Sequence, residues 1–400
     1  MAKVVNICLY GPVTDGWSYQ DNLLPKYQKE NGNDVTVITS KWIWNSDGKL
    51  VKTDEQDYYN EYGVHTIRLD IKGDKALTSK FKRFHGLYSQ LEKEKPDIIF
   101  VHCFQFLDID EVIRYAKKHV GVIIYVDNHC DFSNSATNWI SKNILHKIIW
   151  KSKAKKLNPY VKKFYGVIPA RVDFLAEMYD LPRDKIELLE MGADDEKVQM
   201  AADKNKISNL RKKYGIKDSD FLIVTGGKID QAKQQTLLLM EAAKELSHKF
   251  PVKLIVFGSV SNELKDKVNE LSDGTIVNYI GWIQPDDSYY FFSAADLVVF
   301  PGRHSVFWEQ VVGIGKPLVV KYWDGTTHVQ VNGNVVFLYN DTVEDIVRNI
   351  EQLLKNEREA YNLMLERAQS KAREKFSYRY IAERSIGQDR TDSCIIIVNV

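Results

Sequence analysis

Apolar residues fall along this chain in short unbroken runs separated by amphipathic stretches. Val4–Tyr10, Val35–Thr39, Ile98–Val101, Val122–Val126 and Gly166–Pro169 form such runs in the first half. Phe221–Val224, Leu254–Phe257, Val277–Ile280, Leu297–Phe300, Pro317–Val320 and Val335–Leu338 form them in the second. A strand covered on both faces shows no polar alternation, so these runs predict parallel strands flanked by helices. Helix-period segments lie between them, for example Gln235–Phe250 and Val343–Leu354. The βαβα order predicts an α/β protein with a doubly wound sheet in each half. The polar, lysine-rich stretch 202–214 is the expected domain break. The expected units are 1–203, 204–372, a closing segment 373–387, and a tail 388–400 whose apolar end has no visible partner.

The length of 400 residues suits two domains, and 44% hydrophobic with 27% charged residues excludes a disordered chain. A formal net charge of +1 gives no global field that would favour nucleic acid, and none is expected as a partner. The four cysteines, Cys8, Cys103, Cys130 and Cys394, form no CxxC pair, so no metal site is expected. Cys8 and Cys103 lie in apolar runs and read as buried thiols, which fits a reducing, cytoplasmic setting. The opening MAKVVNICLYG has no cleavage-site pattern and runs straight into a glycine turn, so no leader is expected. No apolar stretch reaches the roughly 20 residues needed to span a bilayer.

Ligands of open α/β sheets bind beyond the carboxyl ends of the strands. Four such positions hold residues with chemistry. After the first strand stands Gly11-Pro-Val-Thr-Asp-Gly16-Trp-Ser18, whose glycines let backbone N–H groups approach a phosphate or sugar. The same residues would also make an ordinary turn capped by Ser18. After Val122–Val126 comes Asp127-Asn-His129, where the histidine either faces a ligand or is a capped, half-buried side chain; His102 has the same two readings with less context. Gly226-Gly227-Lys228 and Lys233 flank a turn at a helix start, where two ammonium groups and the helix dipole favour a diphosphate. Fourth is Pro301-Gly-Arg-His304-Ser305-Val306-Phe-Trp-Glu309, with a helix expected to open at about Ser305. Glu309 stands among apolar residues and needs a partner if buried. The two hydroxyls of a ribose would supply one.

These residues together resemble a family. The chain is similar to the retaining glycosyltransferases of the GT-B fold, family 4, from residue 4 to about residue 387 and most strongly over 220–320. Lys95-Pro-Asp-Ile-Ile-Phe-Val-His102 resembles a family strand, and Glu190-Met-Gly192-Ala-Asp194 its interdomain turn. Phe376-Ser-Tyr-Arg-Tyr-Ile-Ala resembles the segment whose helix returns to the first domain. The resemblance implies two Rossmann-like domains facing each other across a cleft. It implies that Lys228 and Lys233 hold the donor diphosphate and act in catalysis, with no catalytic metal and no cofactor beyond the nucleotide-sugar co-substrate. It gives Ile283 to the nucleobase, Glu309 to the ribose, and His129 to the donor–acceptor junction. The strand-end reading adds Gly11, Gly16, Gly227, His304, Ser305 and Val306 to the expected donor site. One departure stands out: the family's first glutamate should lie eight residues before Glu309, and that position is Pro301.

The implied activity is transfer of a sugar from a nucleotide-diphosphate donor, UDP being the common choice, to a glycan or lipid-linked acceptor in cell-surface polysaccharide or glycoconjugate synthesis. A sugar-nucleotide epimerase and a non-catalytic GT-B relative are the rival readings; the first needs no acceptor, and the second would explain Pro301. One further segment bears on the acceptor. From Phe132 to Val172 there is no Asp or Glu, yet there are eight lysines (142, 147, 151, 153, 155, 156, 162 and 163) and Arg171. Ile140, Ile144, Leu145, Ile148 and Ile149 recur near Trp139 and Trp150. Either residues 139–163 lie on an anionic membrane surface, or the stripe faces the core with a solvated lysine face.

Overall fold

The apolar runs become two sheets in the computed structural model, which describes residues 1–45, 47–73 and 82–388. Cys394 and the expected tail beyond Gln388 lie outside the described residues. One unit holds Met1–Glu190 and the chain from Tyr378; the other holds Met191–Ser377. In the first, eight strands lie in the order Ile186–Leu188, Val161–Gly166, Ile123–Asn128, Ile98–His102, Lys3–Cys8, Asp34–Ser40, His65–Leu69, Asp57–Tyr59. All pairings are parallel except the last, at the sheet edge. The second unit has a wholly parallel sheet in the order Val277–Tyr279, Val252–Phe257, Phe221–Gly226, Leu297–Phe300, Leu318–Lys321, Val335–Leu338. Both are doubly wound, as the runs predict.

Successive residues of each central strand feed opposite faces. Leu222 and Val224 join one buried cluster, whereas Phe221 and Ile223 join the other. Val5 and Ile7 part from Val4 and Cys8 in the same way. This two-sided burial is why the strands carry no polar alternation.

Two boundaries differ from expectation. The chain enters its second unit at Met191, before the expected break at 203. The polar stretch read as a linker forms the helix Lys204–Lys213, and its Ile207 and Leu210 pack on the second unit's core. The helix Asp195–Ala201 before it buries Val198 and Ala201 in the same core. The return begins at Tyr378 rather than 373. Helix Tyr378–Ser385 lies against helix Gln20–Glu30, with Tyr378 stacked on Tyr27 and Ser385 bonded to Gln28. Locally, Gly166–Pro169 is the end of a strand and a turn, not a strand. Val161–Gly166 is the strand, and Pro169 opens a helix because its fixed φ suits the first helical position. Lysines at 162 and 163 had masked that strand.

The lysine-rich segment forms a π-type helix, Ser141–Trp150, continuing into the α-helix Lys151–Leu157. Such a helix has about four residues per turn, which sorts its apolar residues into two lines. His146 and Trp150 are buried, and Leu145 and Ile149 pack on the core. Ile140, Ile144 and Ile148 stay exposed at 61%, 40% and 62%, with Trp139 at 70%. His146 Nδ1 lies 2.7 Å from the Tyr179 hydroxyl, and burial lowers its pKa to about 4.

A group with a depressed folded-state pKa contributes stability above its unfolded value and loses it as pH falls toward the folded one. The first unit should therefore lose stability as pH drops from about 6.5 to about 4, because only the unfolded chain gains that proton. Urea unfolding of wild type and His146→Leu across this window checks it. The variant is expected to show the flatter dependence, and parallel curves would contradict the assignment.

Candidate functional site

Strand order reverses between Phe221–Gly226 and Leu297–Phe300, which pair through Ile223 with Leu297 and Val224 with Val298. A crevice opens at such a reversal, and the loops after these two strands line it. Those loops carry Gly227, Lys228 and Lys233 on one side and His304, Ser305, Val306 and Glu309 on the other. The loops touch. A Cβ built on Gly302 would stand 3.5 Å from the Lys233 Cα, and one on Gly227 would reach the Phe307 ring at 3.9 Å. Gly227 itself has φ +115°, and the neighbouring Gly258 packs so close that a Cβ there would meet the Gly227 carbonyl oxygen at 1.8 Å. Only glycine allows that approach.

The two lysines differ. Lys228 projects into solvent, its side chain 66% exposed, with Asp230 Oδ2 at 3.2 Å. Asp230 also accepts the Ala232 N–H and so holds the short turn Gln231–Lys233 in place. Lys233 is half-buried. Burial holds its pKa below the ordinary lysine value; Asp230 opposes this and the charge of Lys228 adds to it. Two cations held close together with one acid between them suit an anion of more than one charge.

The helix expected at Ser305 is Phe307–Ile314, and the Ser305 hydroxyl accepts the Phe307 N–H at its start. Glu309 is fully buried, with Trp308, Val311 and Val312 equally enclosed beside it. Its Oε1 accepts both His304 Nε2 and His328 Nε2, each at 2.8 Å. Burial alone would push this carboxyl up, but the two histidines, His304 foremost, hold it well below the usual carboxylate range. Glu309 Oε2 and His328 Nδ1 are buried and find no partner among the described residues. His328 comes from the turn Thr327–Val329, after the strand Leu318–Lys321. No motif singles it out, although it lies beyond a strand's carboxyl end as His129 does. Ile283 follows Val277–Tyr279 and packs against the same core as Trp308.

Gly11, Gly16 and His129 belong to the first unit. The Gly16 N–H already donates to Glu61 Oε1 at 2.6 Å, and the following helix starts at Gln20, with Tyr19 rather than Ser18 at the cap. His129 is partly exposed, its Nε2 3.4 Å from Oδ2 of the buried Asp127. His102 is enclosed between Asp127 Oδ2 at 3.2 Å and Asp21 Oδ1 at 3.1 Å. Burial opposes protonation of His102, but these acids together with Cys8 raise its pKa well above the ordinary value. Asp127 thus lies between His102 and His129 at two adjacent strand ends, with Asp21 reaching His102 from helix Gln20–Glu30.

Three groups among the described residues bring metal-ligand atoms within 4.8 Å of one another: Cys8 with Asp21 and His102, Cys103 with Asp127 and His129, and His304 with Glu309 and His328. In the first two, burial pushes the thiols up, Cys8 to about 11 and Cys103 well above the ordinary value. In the third, both imidazoles direct Nε2 at Glu309 Oε1, each at 2.8 Å.

Residues 206–374 match the family model described as glycosyl transferases group 1. That match lies within the second unit. The chain is 21% identical over 220 residues to a glycosyltransferase of Methanocaldococcus jannaschii, covering 53% of this chain and 55% of that one. It spans about half the length of the curated relatives it matches. Among solved structures, a glycosyltransferase from Rickettsia africae aligns with a TM-score of 0.67 at 15% identity, covering 96% of each chain. The Anabaena HepE protein, solved with UDP and glucose, aligns at 0.61 and 14%, covering 96% of this chain and 98% of its own. These likenesses show the GT-B fold of two Rossmann-like domains. No helix among the described residues is long and apolar enough to cross a membrane.

Proposed function

We propose that the protein is a retaining glycosyltransferase that takes a sugar from a UDP-type donor and passes it to a glycan or lipid-linked acceptor in cell-surface polysaccharide or glycoconjugate synthesis. The observation that carries this reading is the meeting of Gly227 and Lys233, with Lys228 on the same turn, with residues 302–307 at the strand reversal of the second unit. The diphosphate would lie against the two ammonium groups. As the bond to the anomeric carbon breaks, negative charge gathers on the departing phosphate. Cations held at this turn stabilise that charge, Lys233 in place and Lys228 on turning from Asp230. Glu309 and Ile283 remain the candidates for ribose and base, and His129 for the acceptor side. A relative solved with UDP and glucose supports the choice of donor. Calorimetric titration with UDP and GDP, followed by a screen of sugar nucleotides for hydrolysis with and without lipid extract, tests the proposal. No binding of either nucleotide would end it.

The exposed line Trp139, Ile140, Ile144, Ile148 favours a membrane-bound acceptor. Among the nearby lysines, Lys151 and Lys155 pair with Asp180, and Lys153 pairs with Asp110. The run 151–155 is thus less cationic than its sequence suggests. Lys142, Lys147 and Lys156 are exposed and make no ion pair among the described residues. An apolar line beside unpaired lysines fits the surface of an anionic bilayer. Replacing Ile144 and Ile148 together with Glu is expected to cut co-sedimentation with phosphatidylglycerol vesicles more than about tenfold, since it removes two apolar groups that the bilayer would bury and adds repulsion. UDP binding should be unchanged. Equal sedimentation of variant and wild type would remove the membrane from the proposal.

A further inference from the structure

We propose that His328 is a positioning residue: by holding Glu309 it fixes the tautomer and orientation of His304, whose other ring edge then meets the diphosphate of the donor. The inference rests on the donor-site reading above and adds to it a residue that no sequence pattern marks.

Three observations lead there. First, both imidazoles donate through Nε2 to the same oxygen of Glu309. A ring that donates at Nε2 has its tautomer set, so the state of Nδ1 follows from the bond the other nitrogen makes. Second, the two histidines are unequal. The His328 side chain is fully enclosed and its Nδ1 has no partner among the described residues, so its polar chemistry is spent on Glu309. The His304 side chain is 15% exposed, and its Nδ1 is neither bonded within the described residues nor enclosed. Third, His304 stands two residues from Gly302, which touches Lys233. The open edge of His304 therefore belongs to the loop that borders the lysine pair.

Glu309 is well built to transmit the effect. It sits in the first turn of helix Phe307–Ile314 between side chains with no exposure, so it cannot swing away when one donor is lost. The Trp308 ring packs edge-on to His304 at 5.0 Å and limits the imidazole's rotation from the other side. With His328 gone, the carboxylate keeps a single donor in a dry site, and His304 is drawn toward it and away from the lysines.

The test is titration of the full chain with UDP for wild type, His304→Ala, His328→Leu, His328→Gln and the double variant His304→Ala/His328→Leu. His328→Leu is expected to weaken UDP about tenfold or more, the usual cost of losing a hydrogen bond to a charged group. His328→Gln, whose amide can donate where Nε2 did, should recover most of that loss. The double variant should bind no more weakly than His304→Ala alone, because the two act in series. Additive losses, or a fall in melting temperature with UDP affinity intact, would overturn the proposal and leave His328 a structural residue. One zinc ion per chain in the purified protein, absent from His328→Leu, would overturn it as well, since a metal would replace the shared protons. Should His328→Leu not fold, His328→Asn, too short to reach Glu309, takes its place. A wild type that binds neither UDP nor GDP defeats the donor-site reading itself; binding that His304→Ala leaves untouched defeats this inference alone.

Discussion

Glu309→Ala is expected to lose transferase activity by two orders of magnitude or more and to destabilise the second unit by about 2–6 kcal/mol, since each of two buried donors left without an acceptor costs about 1–3 kcal/mol. The loss has two sources. Two imidazole N–H groups that now share Oε1 would face an empty, dry space. The loop carrying His304 would also lose the contact that ties it to the helix beside the lysines. Glu309→Gln separates the two effects. Its amide oxygen still accepts both N–H groups, so stability should fall less, while the charge that orders His304 is gone. The pH dependence gives a further check. The carboxyl is held well below its ordinary value of 4.5, so its contribution is complete above about pH 4.5 and is lost as acid approaches the folded-state value. Acid unfolding of Glu309→Gln should therefore lack part of the wild-type slope below that pH. Chemical denaturation of the three proteins from pH 7 downward, beside transfer assays at pH 7, decides the matter. Unchanged stability in Glu309→Ala would mean that the pairing carries little energy.

The strand-end logic located most of this arrangement because it rests on properties that survive in a linear chain. Leu297–Phe300 and Val335–Leu338 are unbroken apolar runs, and they are strands with those same bounds. The loops after Gly226 and Phe300 were legible because ligand-binding loops of parallel sheets follow the carboxyl ends of strands. What was not legible depends on packing. His65–Leu69 mixes His, Thr and Arg with its apolar residues and becomes a strand through a neighbour on each side. Lys204–Lys213 reads as a linker by composition, yet two apolar residues are enough to seat it. The side chains that hold Glu309 could not be named from the sequence. A buried carboxylate needs a donor, and which donor reaches it depends on a turn 19 residues further on.

The same distinction explains how the lysine-rich segment reads. Period alone offered two outcomes for the isoleucines, core or surface. The π-type helix delivers both, sending Leu145 and Ile149 inward and Ile140, Ile144 and Ile148 outward. Charge counting over 132–172 registered the absence of acids nearby in sequence. It could not register Asp110 and Asp180, which come from outside the segment and take up three of its lysines.

Lys233→Met is expected to weaken UDP about tenfold to a hundredfold, and Lys228→Met distinctly less, although both side chains carry the same charge. An ammonium group that is already partly desolvated acts through a lower effective dielectric, so its bond to phosphate is stronger and less screened. Lys233 is in that position, and its depressed pKa records the cost of holding the charge there, first through burial and then through the charge of Lys228 beside it. An arriving diphosphate removes that cost. Lys228 stands in solvent beside Asp230 and gives up that partner when it turns to the ligand. Its contribution should therefore be modest and sensitive to salt, since exposed charges are screened within about 10 Å at 0.1 M ionic strength. Titrating UDP at two ionic strengths checks both halves of the argument. Lys233→Met should retain the salt dependence of the wild type at lower affinity, while Lys228→Met should lose part of it. If the two variants bind UDP equally and as tightly as the wild type, the phosphate lies elsewhere and the assignment of this turn fails.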